Sequence, residues 1–139
     1  MASDINITVS EMQGRRCASS GSKWEPVMGY SRAVRSGNLI AVTGTVGVNA
    51  DGTYSKSMGE QARRSLQIIA AAIEALGGNV KQVIRTRMFV TDVSKWEEVA
   101  RVHGEVFADI RPATSIIEVP RLIDKDAQIE IEADAVVPD

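Results

Sequence analysis

The stretch Ile129-Glu130-Ile131-Glu132-Ala133-Asp134-Ala135-Val136-Val137 alternates apolar and acidic residues. A β-strand sends successive side chains to opposite faces, so this period of two marks a half-buried strand. Ile129, Ile131, Ala133, Ala135 and Val137 are assigned to its inner face, and Glu130, Glu132 and Asp134 to the outer one.

Working outward, Ala113 to Val119 and Val83 to Thr91 are short and rich in β-branched residues and read as further strands. In the second, Ile84, Thr86, Met88 and Val90 are expected to face one way and Arg85, Arg87 and Phe89 the other. Tyr30 to Arg35 and Leu39 to Thr45 flank Ser36-Gly37-Asn38 as the arms of a hairpin, and Arg15 to Ser19 forms an N-terminal strand. Ser19 to Met28 has no regular period and is expected to be a loop open to ligands.

Two segments carry the helical period instead, each opened by Ser-x-x-Glu, the signature of a reciprocal cap. Ser57 and Glu60 precede a stripe of Ala62, Leu66, Ile69, Ile73 and Leu76, and Gly77-Gly78 ends a helix spanning about 58 to 76. Ser94 and Glu97 open a second helix with Trp96, Val99, His103, Val106 and Ile110 on one side, ending before Arg111-Pro112. The pattern is that of a single α+β domain over residues 1–139, a mixed β-sheet with two helices packed on one face.

Composition narrows the function. Sixteen basic against eighteen acidic residues give a net charge of −2, so no net field draws the chain to nucleic acid. One cysteine, Cys17, and one histidine, His103, do not make a zinc site, and Cys17 has no disulfide partner within the chain, which fits a reducing, cytoplasmic setting. Met1 to Met12 lacks the charged start and apolar core of a secretory signal. The apolar run Leu66 to Leu76 is far shorter than the roughly 20 residues a membrane helix needs. Gly44 and Gly47 are not followed by the helix start that phosphate binding requires.

Arg111-Pro112-Ala113-Thr114-Ser115-Ile116-Ile117-Glu118-Val119, Leu122 and Ile129-Glu130-Ile131-Glu132-Ala133 together resemble the C-terminal signature of the reactive intermediate deaminase (Rid, or YjgF) family. Gly37-Asn38-Leu39-Ile40, Thr43-Gly44, Gln61-Ala62-Arg63 and Phe89-Val90-Thr91-Asp92 follow the family's order, so the similarity covers about residues 28 to 137. The resemblance implies a homotrimer whose sheets enclose a central barrel, with ligand sites in clefts between subunits. It implies hydrolysis of enamines and imines derived from small carboxylate-bearing metabolites, giving 2-oxo acids and ammonia, with neither metal nor organic cofactor.

Carried over by position, Glu130 takes the place of the family glutamate near the reacting water. Thr43 keeps a serine's hydroxyl, and Tyr30 resembles an aromatic at the cleft mouth. Thr45 stands where many members have glutamine, and Thr114 where the family has the arginine that clamps the substrate carboxylate. Loss of one charge-assisted hydrogen bond of ~1.5 to 3 kcal/mol weakens such holding roughly tenfold to a hundredfold. Arg32, Arg35 and Arg111 are the candidate substitutes. The departure at Thr114 equally suits a member that binds a metabolite without deaminating it. An RNA-directed role, a label some relatives carry, lacks an aromatic-basic platform here. Glu132 and Asp134 are assigned to ion pairing, and His103 and Cys17 to packing or surface roles.

Overall fold

The computed structural model describes residues 4–139, so the first three residues of the N-terminal stretch lie outside it. The alternating stretch forms β7 (Ile129–Val136), which lies between β4 (Leu39–Val46) and β5 (Val83–Val90) and is antiparallel to both. Beyond β4 follow β3 (Ala33–Ser36), β2 (Arg15–Ser19) and β1 (Thr8–Met12), and β6 (Ala113–Glu118) pairs parallel with β5. The result is one mixed seven-stranded sheet in the order β1-β2-β3-β4-β7-β5-β6.

Ile129, Ile131, Ala133 and Ala135 are all buried, as the alternation predicts. They meet the stripe of α2 (Met58–Ala75), where Ala62, Leu66, Ile69 and Ile73 are buried, and Val99, Val102 and Phe107 of α3 (Trp96–Phe107). Each buried Ile, Leu, Val or Phe among these contributes about 1.5–3 kcal/mol, so this interface between the sheet and its two long helices dominates the fold. On the opposite face Arg87 lies 3.5 Å from both Glu132 and Asp134, so those carboxylates are compensated, as expected.

The caps differ in detail. Ser57 accepts a hydrogen bond from the Glu60 N–H (3.0 Å), while the Glu60 carboxylate turns to Arg63. Gly77, at φ +82°, and the Gly78 N–H on the Ile73 carbonyl stop α2. Arg35 donates to the C-terminal end of α2 at Leu76 O (2.8 Å). The second Ser-x-x-Glu does not cap a helix, because the Ser94 hydroxyl bonds to Asp92 (2.6 Å), which instead caps a 3-10 turn over Val93–Lys95. That turn makes Trp96 the first helical residue, and Trp96 is 51% exposed rather than part of the buried stripe. Ile110 falls beyond the helix end at Phe107.

Three further differences have local causes. A third helix, α1 (Trp24–Met28), closed by Gly29 at φ +75°, occupies the segment expected to be a loop. The edge strand β1 is exposed along its whole length, so it carries no one-sided pattern for sequence reasoning to detect. Ile84 is 52% exposed because a bulge between Val83 and Arg85 places two residues opposite one, turning it off the inner face.

Candidate functional site

At one end of the sheet the end of β2, the start of β3, the end of β4 and the start of β7 meet beneath α1 and two loops. They enclose a cavity of about 800 Å³ whose wall includes Tyr30, Arg32, Gly44, Thr45, Tyr54 and Glu130. That volume lies within the range of small-molecule sites.

The wall is shaped by a second bulge. Val42 pairs with Ala133 and Thr45 with Ile131, so Thr43 and Gly44 together face the single residue Glu132. The bulge is tied down by the Thr43 N–H on Arg32 O (3.0 Å) and the Thr43 hydroxyl on Ser31 O (2.9 Å). Gly44 leaves room for the neighbouring strand, because a Cβ there would lie 2.6 Å from Glu130 Oε2 and would displace the carboxylate. The Glu130 carboxylate therefore rests against bare backbone. Burial pushes that half-buried carboxyl above the usual range, the Glu132 charge adds to the effect, and Arg32 opposes it.

Thr45 is almost wholly buried; its hydroxyl donates to Thr43 O (2.7 Å) and accepts from Arg32 (3.2 Å). Across the cavity the Tyr54 hydroxyl donates to Asp124 (2.6 Å), joining the loop after β4 to the loop before β7. Burial, reinforced by that carboxylate, pushes the Tyr54 phenol up. Fully buried Gln61 fastens the same loops to α2: its amide donates to Ser55 O (2.8 Å) and Asp126 O (3.0 Å), and its carbonyl accepts from the Gln128 N–H (2.7 Å).

Of the residues singled out in the sequence, Glu130, Tyr30, Thr45 and Arg32 come together on this wall. Thr43 sits in the adjoining bulge and does not line the cavity. Arg35 is at the other end of the sheet, on Gly37 O and Leu76 O. Arg111 and Thr114 lie outside the cavity, Arg111 just before the edge strand β6 at φ +58° and Thr114 within β6. There Thr114 Oγ1 is 2.8 Å from Thr86 Oγ1, which is 2.9 Å from His103 Nε2, and the Thr114 hydroxyl also approaches Pro112 O (3.2 Å). Burial lowers the His103 pKa. Sequence reasoning did not pair Arg32 with Glu25, Tyr54 with Asp124, or Gln61 with its loops, because no local spacing joins residues that only folding brings together.

Among the described residues no group of three or more His, Cys, Asp or Glu is arranged to hold a metal ion. None of their helices is long and apolar enough to cross a membrane.

A mixed sheet backed by two long helices, with a carboxylate set in a cavity of small-molecule size at its end, defines a small α+β protein. Residues 21–137 match the family model described as Endoribonuclease L-PSP, and the chain belongs to that family, the Rid/YjgF family of the sequence resemblance. It is 37% identical over 111 residues to the 2-iminobutanoate/2-iminopropanoate deaminase of Escherichia coli K12, covering 77% of this chain and 86% of that one. A solved member of the YjgF/YER057c/UK114 family from Mycobacterium tuberculosis is 44% identical with a TM-score of 0.82, covering 88% and 99% of the two chains. Escherichia coli TdcF with bound serine is 30% identical with a TM-score of 0.73, covering 78% and 88%.

Proposed function

We propose that this protein is an enamine/imine deaminase, hydrolysing small 2-imino acids to 2-oxo acids and ammonia in clefts completed by neighbouring copies of a homotrimer. The observation that carries the reading is Glu130, a half-buried carboxyl of raised pKa set against the Gly44 backbone on a cavity wall. Burial, and not a hydrogen bond, is the main cause of that raised pKa. A carboxyl with its pKa raised toward neutrality is suited to exchange protons in both directions. In the proposed reaction Glu130 takes a proton from water as the water oxygen bonds to the C=N carbon and returns it to the nitrogen, giving a neutral carbinolamine. The carboxylate then takes the carbinolamine hydroxyl proton and delivers it to the nitrogen as the C–N bond breaks, so the carbonyl forms and ammonia leaves. Tyr30 and Thr45 bound the ligand within one chain, whereas Thr43, Arg111 and Thr114 belong to this reading only through assembly of copies. The deaminase named among the relatives supports the same reaction class.

A second reading, a member that binds a metabolite without deaminating it, is favoured by the hydroxyl chain at Thr114. A threonine hydroxyl has one proton, and here it goes either to Pro112 O or to Thr86 Oγ1. In both arrangements Thr114 offers a ligand only lone pairs, the opposite of an arginine's donors, and so does not hold a carboxylate.

The test generates 2-iminobutanoate in situ beside the purified protein and follows release of 2-oxo acid and ammonia. Acceleration by the wild type that is lost in a folded Glu130→Gln variant supports the deaminase. No acceleration by the wild type, with acceleration by Thr114→Arg, supports the binding protein. Sizing in solution tests the assembly, and a stable monomer overturns the intersubunit clefts.

A further inference from the structure

The cavity wall contains a guanidinium that has almost no contact with solvent. Arg32 is 6% exposed, and so is Glu25, whose carboxylate lies 3.7 Å from Arg32 Nη2. Taking two ions out of water costs several kcal/mol for each, and their attraction seldom returns more than it takes. Such a pair is a poor device for stability alone.

Its remaining bonds point to the cleft. Arg32 Nη1 donates to Gly44 O (3.0 Å) and Thr45 Oγ1 (3.2 Å), the two residues at the end of the bulge, and Nη2 approaches Tyr30 OH (3.4 Å). Arg32 Nε donates to Ser20 Oγ (3.2 Å), which in turn donates to Glu25 (2.8 Å), and the Ser20 N–H reaches the same carboxylate (3.2 Å). The guanidinium thus links α1 and the end of β2 to the Gly44 backbone, on which the Glu130 carboxylate rests.

We propose that Arg32 and Glu25 are a positioning pair for Glu130: Arg32 holds the Gly44 bulge under the Glu130 carboxylate and is the cation acting on it, while Glu25 moderates that charge. This rests on the reading of Glu130 as the proton-transfer group. The other charged or titratable groups on the cavity wall around Glu130 are Tyr30 before β3, Tyr54 after β4, Asp124, Lys125 and Asp126 before β7, Arg64 of α2 with its partner Asp4, and Lys23 before α1; Glu132 lies along β7. Glu132 and Arg32 act on Glu130 in opposite directions. Removing Arg32 therefore raises the pH at which Glu130 ionises, and removing Glu25, which lies 3.7 Å from Arg32, leaves the Arg32 charge uncompensated and lowers it.

The experiment is a carboxyl-carbon NMR titration of the full-length protein labelled at glutamate, with the Glu130 signal assigned by its loss in Glu130→Gln. Arg32→Gln is expected to move the Glu130 midpoint upward and Glu25→Gln to move it downward, each by at least about 0.3 pH units, a twofold change in proton affinity. Midpoints that stay in place, or move in the same direction, overturn the proposal even where both variants melt at lower temperature, since a merely structural pair loses stability in both and sets no opposite signs. If Arg32→Gln does not fold, Arg32→Lys keeps the charge and loses the fork. Its midpoint is then expected within about 0.3 pH units of wild type, with kcat for ammonia release reduced more than KM rises; a midpoint raised as far as charge removal predicts overturns the proposal. Opposite shifts without ammonia release from any variant uphold the pair and refute the deaminase reading instead.

Discussion

Replacing Gln61 by methionine tests how the cavity loops are held. The side chain is fully buried on α2 and makes three hydrogen bonds, to Ser55 O, Asp126 O and the Gln128 N–H. Methionine has nearly the same length and adaptable rotamers, so the cavity contribution is small and the polar losses decide the outcome. An orphaned buried donor or acceptor costs about 1–3 kcal/mol. The Gln128 N–H is half-buried and has no other partner among the described residues, so it is assigned about 2 kcal/mol. The two carbonyls, of which Asp126 is exposed enough to regain water, are assigned about 1 kcal/mol each, and burying a thioether in place of an amide returns about 1 kcal/mol. The net loss is about 3 kcal/mol.

With a urea dependence of about 1.5 kcal/mol per molar for a chain of this size, the unfolding midpoint falls by about 2 M. The assay is equilibrium unfolding at one fixed protein concentration, followed by fluorescence of Trp24 and Trp96. A midpoint within about 0.5 M of wild type refutes the argument that these bonds hold the loops. Gln61→Glu is expected to be worse than Gln61→Met, because a carboxylate there faces two carbonyl oxygens.

Gly47→Ala is expected to prevent folding or lower the melting temperature by more than 10 °C, roughly what ~3 kcal/mol removes from a domain of this size, because its Cβ would run into the Gln61 backbone carbonyl; thermal unfolding by circular dichroism checks it. Gly44→Ala meets only the movable end of Glu130, so stability is expected to hold within about 1 kcal/mol while ammonia release falls at least tenfold, read in paired melting and activity assays. Glu130→Gln is expected to stabilise the protein near pH 7.5. The folded carboxyl binds its proton more tightly than the unfolded one, so the native state loses stability as pH rises from the unfolded pKa through the raised folded one. The gain therefore vanishes at a pH well below the unfolded pKa, and denaturation curves across pH check its sign.

The fold was legible wherever burial is one-sided. The alternation of Ile129 to Val137 placed β7 and its inner face, and the stripe from Ala62 to Leu76 placed α2, because both elements pack on one side only. Edge strand β1 was not legible, since all of it faces water. The site was legible in part: Glu130, Tyr30 and Thr45 line the cavity, but Arg111 and Thr114 lie away from it at the far edge of the sheet. The partners that hold the wall were invisible for a different reason. Gln61 and Gln128 are separated by 67 positions, and Tyr54 and Asp124 by 70, so no periodicity relates them.

The two breaks in strand period carry different meanings. At Ile84 the bulge turns an apolar side chain outward, a displacement for which the fold shows no local gain. At Thr43 and Gly44 the bulge removes a side chain where Glu130 needs room and offers a carbonyl to Arg32. Without the extra residue the alternation of β4 runs on unbroken and Gly44 no longer sits off register beside the carboxylate. The bulge is thus where the sheet departs from the pattern that specifies it and forms the wall of the candidate site. Glycine at that point follows from the chemistry of the neighbouring strand: the closer the carboxylate is held to bare backbone and away from water, the higher its pKa and the better it exchanges protons near neutrality.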